Sequence, residues 1–128
     1  MEKTTVSAIL LAAGSSSRMG ENKMLMRFCG KTPVELCVEA FCGIADEAVI
    51  AASPDTEEIA LTAANSASYP VKIVRGGKTR QESVFNAVRA ASGAITAVHD
   101  CARCLVDRET IKASLRAAEQ YGLSLIHI

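Results

Sequence analysis

Arg18 and Lys23 stand in a stretch of small residues, Gly14-Ser15-Ser16-Ser17-Arg18-Met19-Gly20-Glu21-Asn22-Lys23, that follows the apolar run Val6 to Leu11. Glycine and serine let backbone N–H groups come close to a ligand, and two fixed positive charges in the same loop suit a polyphosphate. The spacing is not that of a Walker A loop, because five residues separate Gly14 from Gly20 and Glu21 stands where a lysine belongs; the dinucleotide pattern G-x-G-x-x-G is also absent. A second segment, Gly76-Gly77-Lys78-Thr79-Arg80-Gln81-Glu82-Ser83, repeats the glycine-then-basic character. In it Arg80 reads either as a functional residue or as a solvated residue of a helix's first turn. A third segment, His99-Asp100-Cys101-Ala102-Arg103-Cys104, offers a carboxylate at Asp100, which reads either as a functional acid or as a turn residue. Its C-x-x-C spacing beside His99 invites a zinc or redox reading, but one such pair supplies two ligands where a structural zinc takes four. Cys29, Cys37 and Cys42 read as small core residues, and His99 as a structural histidine.

The elements that must carry these segments alternate along the chain. Val6–Leu11 is a continuous apolar run, the mark of a strand covered on both faces. Met24–Phe28 reads as a small second strand before a turn at Gly30. Thr32-Pro33-Val34-Glu35 opens a helix with a capping box, and this helix runs to about Cys42 and stops at Gly43. Glu47–Ala52 reads as a strand, Ser53 and Pro54 open a helix to about Ala64, and Val71–Val74 is a strand. Thr79-Arg80-Gln81-Glu82 is a second capping box, starting a helix to about Ala91. Ile95–His99 is a strand, Asp107 caps a helix to about Tyr121, and a further apolar run starts at Leu123. This order predicts an α/β fold: a mostly parallel sheet with helices on both faces, joined by right-handed crossovers. In such sheets ligands sit beyond the carboxyl ends of the strands, and all three segments fall at strand ends.

With 128 residues, 49% of them apolar, the chain suits one domain with a substantial core. Fourteen basic residues balance fourteen acidic ones, which argues against a nucleic-acid or membrane surface. No apolar run approaches the about 20 residues of a membrane helix, and the N-terminus lacks the order of a secretory signal. Five cysteines, an odd number, point to reduced thiols and a cytoplasmic location.

The string Ala12-Ala13-Gly14-x-x-x-Arg18-Met19-Gly20 followed by Asn22-Lys23 resembles the signature of nucleotidyltransferases. Gly76-Gly77-x-x-Arg80-x-x-Ser83-Val84 and Val98-His99-Asp100-x-Ala102-Arg103 are similar to two segments of the 2-C-methyl-D-erythritol 4-phosphate cytidylyltransferases, in the same order. The likeness runs from Val6 to about Gly122. It implies a Rossmann-like nucleotidyltransferase fold and transfer of a cytidylyl group from CTP to 2-C-methyl-D-erythritol 4-phosphate, with release of pyrophosphate, in non-mevalonate isoprenoid synthesis. On this reading Arg18 and Lys23 are catalytic, stabilising charge on the transferred phosphorus and on the departing pyrophosphate. Ala12, Ala13, Gly14, Gly77, Lys78, Arg80, Ser83, Asp100 and Cys101 bind the nucleotide, Arg103 meets the acceptor, and Asp100 holds Mg²⁺ or another divalent cation.

The chain departs from the family pattern at several places. Cys101 and Cys104 replace an alanine and a proline, Lys78 stands where an acid is common, and Arg18 and Lys23 are close together. Family members are nearly twice as long; their second half supplies acceptor contacts and a dimer-forming arm. Residues 1–122 are therefore expected to be the nucleotide-binding part of an incomplete domain whose full-length parent is a homodimer. Residues 123–128, which do not resemble the family's next strand, are expected to be a tail of non-native origin. Three alternatives remain: a cytidylyltransferase for ribitol phosphate or the molybdenum cofactor, a CTP-binding module without turnover, and a cysteine-based metal binder.

Overall fold

The computed structural model describes residues 4–13 and 26–128. Five strands form one parallel sheet: β1 (Val6–Leu11), β2 (Glu47–Ala52), β3 (Val71–Arg75), β4 (Ile95–Asp100) and β5 (Leu125–His127). Their order across the sheet is β3-β2-β1-β4-β5. The helices α1 (Pro33–Ala40), α2 (Glu57–Ser66), α3 (Arg80–Ala90) and α4 (Arg108–Gln120) connect them. β1 is central and buried along its whole length, which is why it reads as an unbroken apolar run rather than an alternating one.

Alternate residues of the central strands feed two cores. Ala8, Leu10, Ala48, Ile50 and Ala97 face α1, α2 and α4. Ile9, Leu11, Val49, Ala51 and Val98 face α3. Among the described residues, three helices thus cover one face and one covers the other. Moving from β1 to β2 to β3 and then back across to β4, the crossovers through α1, α2 and α3 share one hand, α3 lying on the other face because the direction of travel reverses. The last one departs from the expectation. β5 lies beyond β4, yet α4 packs on the face of α1, so the β4–α4–β5 crossover has the hand opposite to the other three. Its anchor is Arg108, whose guanidinium donates to the carbonyls of Glu39, Ala40 and Cys42 and so closes the C-terminal end of α1.

Local signals set most boundaries. Thr32 and Glu35 form the complete capping box read from the sequence, with both bonds at 3.3 Å. α1 stops at Ala40, two residues short of the expected end, and Gly43 follows at φ 77°. α2 starts at Glu57 rather than at Ser53–Pro54, because Ser53 to Thr56 forms a turn in which the Ser53 amide donates to the Thr56 hydroxyl at 2.9 Å. Of the small strand expected at Met24–Phe28, Met24 and Leu25 lie outside the described residues, and Phe28 makes an isolated antiparallel bridge to Lys31. Residues 123–128 supply β5, which pairs in parallel with β4.

At the amino ends of the strands, Glu47 holds the sheet to its connections. Its carboxylate accepts from the Ser7 hydroxyl, the Ser92 amide and the Ser92 hydroxyl, and pairs with Lys72 at 3.1 Å. Burial alone opposes its charge, but these donors outweigh burial and hold the carboxyl at about 2. A depressed folded-state value gives stability that is present above about 4.5 and is lost as pH falls through about 2. Glu47→Gln is expected to lower unfolding free energy at neutral pH by about 2 kcal/mol and to flatten acid unfolding in that window. Urea midpoints measured from pH 2 to 7 check it; coincident profiles for the two proteins would reject it.

Candidate active site

Three stretches far apart in sequence meet at the carboxyl ends of β1 and β4. The registers end with Leu11 opposite Asp100, and the ladders run one residue further: the Cys101 amide donates to the Leu11 carbonyl, the Ala12 amide to Ala51, and the Gly76 amide to Ala52. α1 and α4, the helices that follow β1 and β4, both lie on the opposite face, while α3 brings its N-terminus up beside the strand ends. The result is a cleft of about 220 Å³. Leu11, Ala13 and Asp100 line it from the sheet; Gly77, Lys78, Thr79, Arg80 and Ser83 line it from the β3–α3 loop and the first turns of α3.

The loop is held from within. Ser83 is buried, its hydroxyl accepting from the Gly77 amide at 3.0 Å and donating to the Thr79 carbonyl at 3.2 Å. Its proton is therefore committed to the loop, so Ser83 shapes the site by holding Gly77 rather than by offering a free donor. Thr79 caps α3, accepting from the Glu82 amide at 3.1 Å. The second half of the expected capping box is displaced by one residue: the Glu82 carboxylate accepts from the Lys78 amide at 2.8 Å. Gly76 packs directly on Ala13, and a Cβ there would overlap that of Ala13 and stand 2.9 Å from the Ser83 hydroxyl. Lys78 and Arg80 are exposed at the cleft rim, and no hydrogen bond or ion pair engages either side chain among the described residues.

Across the cleft, Asp100 ends β4 in a tight turn. One carboxylate oxygen accepts from the Ala102 amide at 3.0 Å, and the Asp100 carbonyl accepts from the Arg103 amide at 3.0 Å. Behind this turn lies His99, buried, with Nδ1 2.6 Å from the Ile128 carbonyl and Nε2 2.8 Å from the Arg103 carbonyl. Two acceptors satisfy the ring when both nitrogens carry protons, so the geometry calls for imidazolium. Burial opposes that charge, but the neighbouring Cys37 sulfur and the Ile128 and Arg103 acceptors prevail and raise its pKa to about 9. The Cys101 thiol, and after it His99, draw the Cys37 thiol down against the opposing effect of burial.

The predicted residues divide accordingly. Ala13, Gly77, Lys78, Arg80, Ser83 and Asp100 share the cleft. Ala12 is fully buried beneath it. Cys101, expected to touch nucleotide, places its side chain in the core, where it is 0% exposed, because strand alternation turns it to the face opposite Asp100. Arg103 is exposed and lines a separate, more apolar hollow with His99, Leu105, Val106, Thr110 and Ile128. Gly14, Arg18 and Lys23 lie outside the described residues. Thr79 and Glu82 read from the sequence as helix caps alone; a cap directly after a Gly-Gly-Lys loop at a strand end is the signal that places them in the site. Among the described residues no helix is long and apolar enough to cross a membrane, and no three or more His, Cys, Asp or Glu side chains are grouped to hold a metal ion.

Comparison with known proteins gives the same picture. The family model described as 2-C-methyl-D-erythritol 4-phosphate cytidylyltransferase matches residues 6–127. The chain is 34% identical over 132 residues to the protein of that name from Caldanaerobacter subterraneus subsp. tengcongensis, covering 96% of this chain and 58% of the relative. The solved cytidylyltransferase of Thermus thermophilus is similar with a TM-score of 0.70 and 32% identity, over 90% of this chain and 50% of that one. The 4-diphosphocytidyl-2C-methyl-D-erythritol synthase of Anaerococcus prevotii shares the fold, with a TM-score of 0.78 at 22% identity, over 91% of this chain and 52% of its own. The chain spans about half the length of the curated relatives it matches.

Proposed function

Since the chain belongs to the 2-C-methyl-D-erythritol 4-phosphate cytidylyltransferase family, we propose that its cleft binds CTP and that the protein transfers the cytidylyl group to 2-C-methyl-D-erythritol 4-phosphate. The observation that carries this reading is the meeting of Ala13, Gly77–Ser83 and Asp100 at one cleft beyond the strand ends. An oxygen of the acceptor phosphate forms a bond to the α-phosphorus of CTP, and the bond from that phosphorus to the bridging oxygen of pyrophosphate breaks. Both reactants are anions, so the demand on the protein is charge stabilisation and in-line positioning. Arg18 and Lys23 are assigned that charge, and Lys78 and Arg80 add positive charge at the rim. No general base is required, because a phosphate monoester is already ionised at neutral pH.

Asp100 is the carboxylate among the cleft-lining residues, and one of its oxygens is not taken by the Ala102 amide. A hard oxygen donor beside a polyphosphate fits a divalent cation such as Mg²⁺, which when bound would offset phosphate charge. Arg103, outside the cleft, is assigned to the acceptor side. The reading places the protein in the cytoplasm, where its five unpaired thiols stay reduced. It also gives the full-length enzyme a homodimeric state and no nucleic-acid partner.

Titration of Mg·CTP and Mg·ATP into this chain and its Lys23→Ala variant tests the reading. CTP is expected to bind in preference to ATP, and Lys23→Ala to weaken CTP by about tenfold or more. A folded chain that binds neither nucleotide, or binds both alike, would overturn it.

A further inference from the structure

The core on the α1 face holds a pair of side chains that the cleft does not use. Cys37, on α1, and Cys101, the residue after β4, are 64 positions apart in the chain and both 0% exposed. The Cys37 thiol donates to the Cys101 carbonyl at 3.8 Å. The Cys101 thiol hydrogen-bonds the Cys37 sulfur in turn. Both sulfurs stand on fixed supports. α1 is closed at its N-terminus by the Thr32–Glu35 box and at its C-terminal end by Arg108. The Cys101 amide is held to the Leu11 carbonyl at 3.0 Å. Among the described residues no group of three or more ligating side chains joins the pair to hold a metal ion. Two thiols already in contact can, however, close a disulfide with a small shift of their supports, which an isolated buried cysteine cannot do.

We propose that Cys37 and Cys101 form a redox-active pair that a peroxide closes into an internal disulfide. The inference stands apart from the nucleotide reading. In the first step the Cys37 sulfur attacks one peroxide oxygen: an S–O bond forms, the O–O bond breaks, and the other oxygen leaves as water with the thiol proton. In the second the Cys101 sulfur attacks the sulfenic sulfur: the S–S bond forms, the S–O bond breaks, and that oxygen leaves as water with the Cys101 proton. Two thiols are oxidised and one peroxide is reduced to two waters. The surroundings support Cys37 as the first nucleophile, because the Cys101 thiol draws it down while Cys37 and burial push Cys101 up. A small uncharged oxidant is the class that suits an enclosed pair. In a reducing compartment such a bond is transient, and a dithiol reopens it. While closed, it fastens α1 to the residue that follows the cleft-lining Asp100.

Peptide mapping tests this. With Cys42→Ser in place, trypsin leaves Cys29, Cys37, Cys101 and Cys104 on four separate peptides, since it cuts after Arg27, Lys31, Lys72, Arg89, Arg103 and Arg108. The folded Cys42→Ser chain is treated with hydrogen peroxide, unfolded in an alkylating agent, digested and read by mass spectrometry. Cys29 is exposed and gauges the dose. By the time Cys29 has reacted fully, the Cys37 and Cys101 peptides are expected to lose alkylation together and to appear as one linked species, which dithiothreitol separates. Adding Cys104→Ala is expected to preserve the link, and adding Cys101→Ala to abolish it. Full alkylation of Cys37 and Cys101 after Cys29 has reacted would overturn the proposal. So would a link from Cys104 to either residue in place of the Cys37–Cys101 link, or oxidation of Cys37 to a sulfinic acid with Cys101 still a thiol.

Discussion

His99→Phe is expected to destabilise the protein by about 3 kcal/mol and to remove a pH dependence of unfolding above neutrality. Phenylalanine can fill the space beside Phe41, whose ring centroid lies 6.1 Å from that of His99, but it leaves the carbonyls of Arg103 and Ile128 without their donors. A pair of part-buried carbonyls stripped of partners adds to the loss of the imidazole's own contacts. The pH dependence follows from the direction of the shift. His99 is raised from 6.5 to about 9 in the folded protein, so its contribution is fully present below about 6.5 and is lost as pH rises through about 9. The wild-type urea midpoint is therefore expected to fall across that window while the variant's stays flatter. Midpoints that coincide at pH 6.5 and fall in parallel toward pH 10 would reject the imidazolium assignment.

Gly76→Ala is expected to weaken nucleotide binding by about tenfold to a hundredfold while costing about 1–3 kcal/mol of stability. The new methyl would meet the Cβ of Ala13, which has no rotamer to change, and would press on the Ser83 hydroxyl that holds the Gly77 amide. Relief requires the β3–α3 loop to move away from the end of β1, and these are opposite walls of the cleft. Gly93→Ala serves as the contrast. Its methyl would stand 2.6 Å from the Ser7 amide nitrogen, at the amino ends of the strands. That substitution should lower stability without a specific loss of affinity. Equal effects of both on CTP affinity, measured where each variant remains folded, would count against Gly76 as a spacer of the site.

What the sequence made legible is what local physics dictates. β1, β2 and β4 stand out because a strand covered on both faces carries no polar alternation. Thr32 with Glu35 announces α1 because the box satisfies two orphan donors within one turn. The cleft was legible in outline, since each of its segments follows a strand. The failures all involve long-range partners. Nothing near α4 in the chain says that Arg108 will bind the end of α1 and draw the last crossover to that face. Ser53-Pro54-Asp55-Thr56 carries both a turn signal and a helix signal, and the turn prevails because the Thr56 hydroxyl closes it. Cys101 follows the cleft-lining Asp100 in sequence, yet its side chain turns to the opposite face and into the core. Ser83 and Glu82 acquire their roles through a loop that folds back on their own helix, which residue spacing alone does not specify.

The uneven covering of the sheet has a consequence for how the cleft is maintained. α1 buries Pro33, Val34, Cys37 and Val38, and shares its face with two other helices. Among the described residues α3 stands alone on its face; it buries Ser83 and Ala87 and lays half-buried Val84, Val88 and Ala90 against the sheet. What holds this element is a single layer of contacts with the sheet, with no second helix beside it among the described residues. Every cleft contact from the loop side is carried by this element or by the residues leading into it. Detachment of α3 and loss of the binding surface are then the same event, and any ligand that bridges Asp100 to the β3–α3 loop would hold both in place.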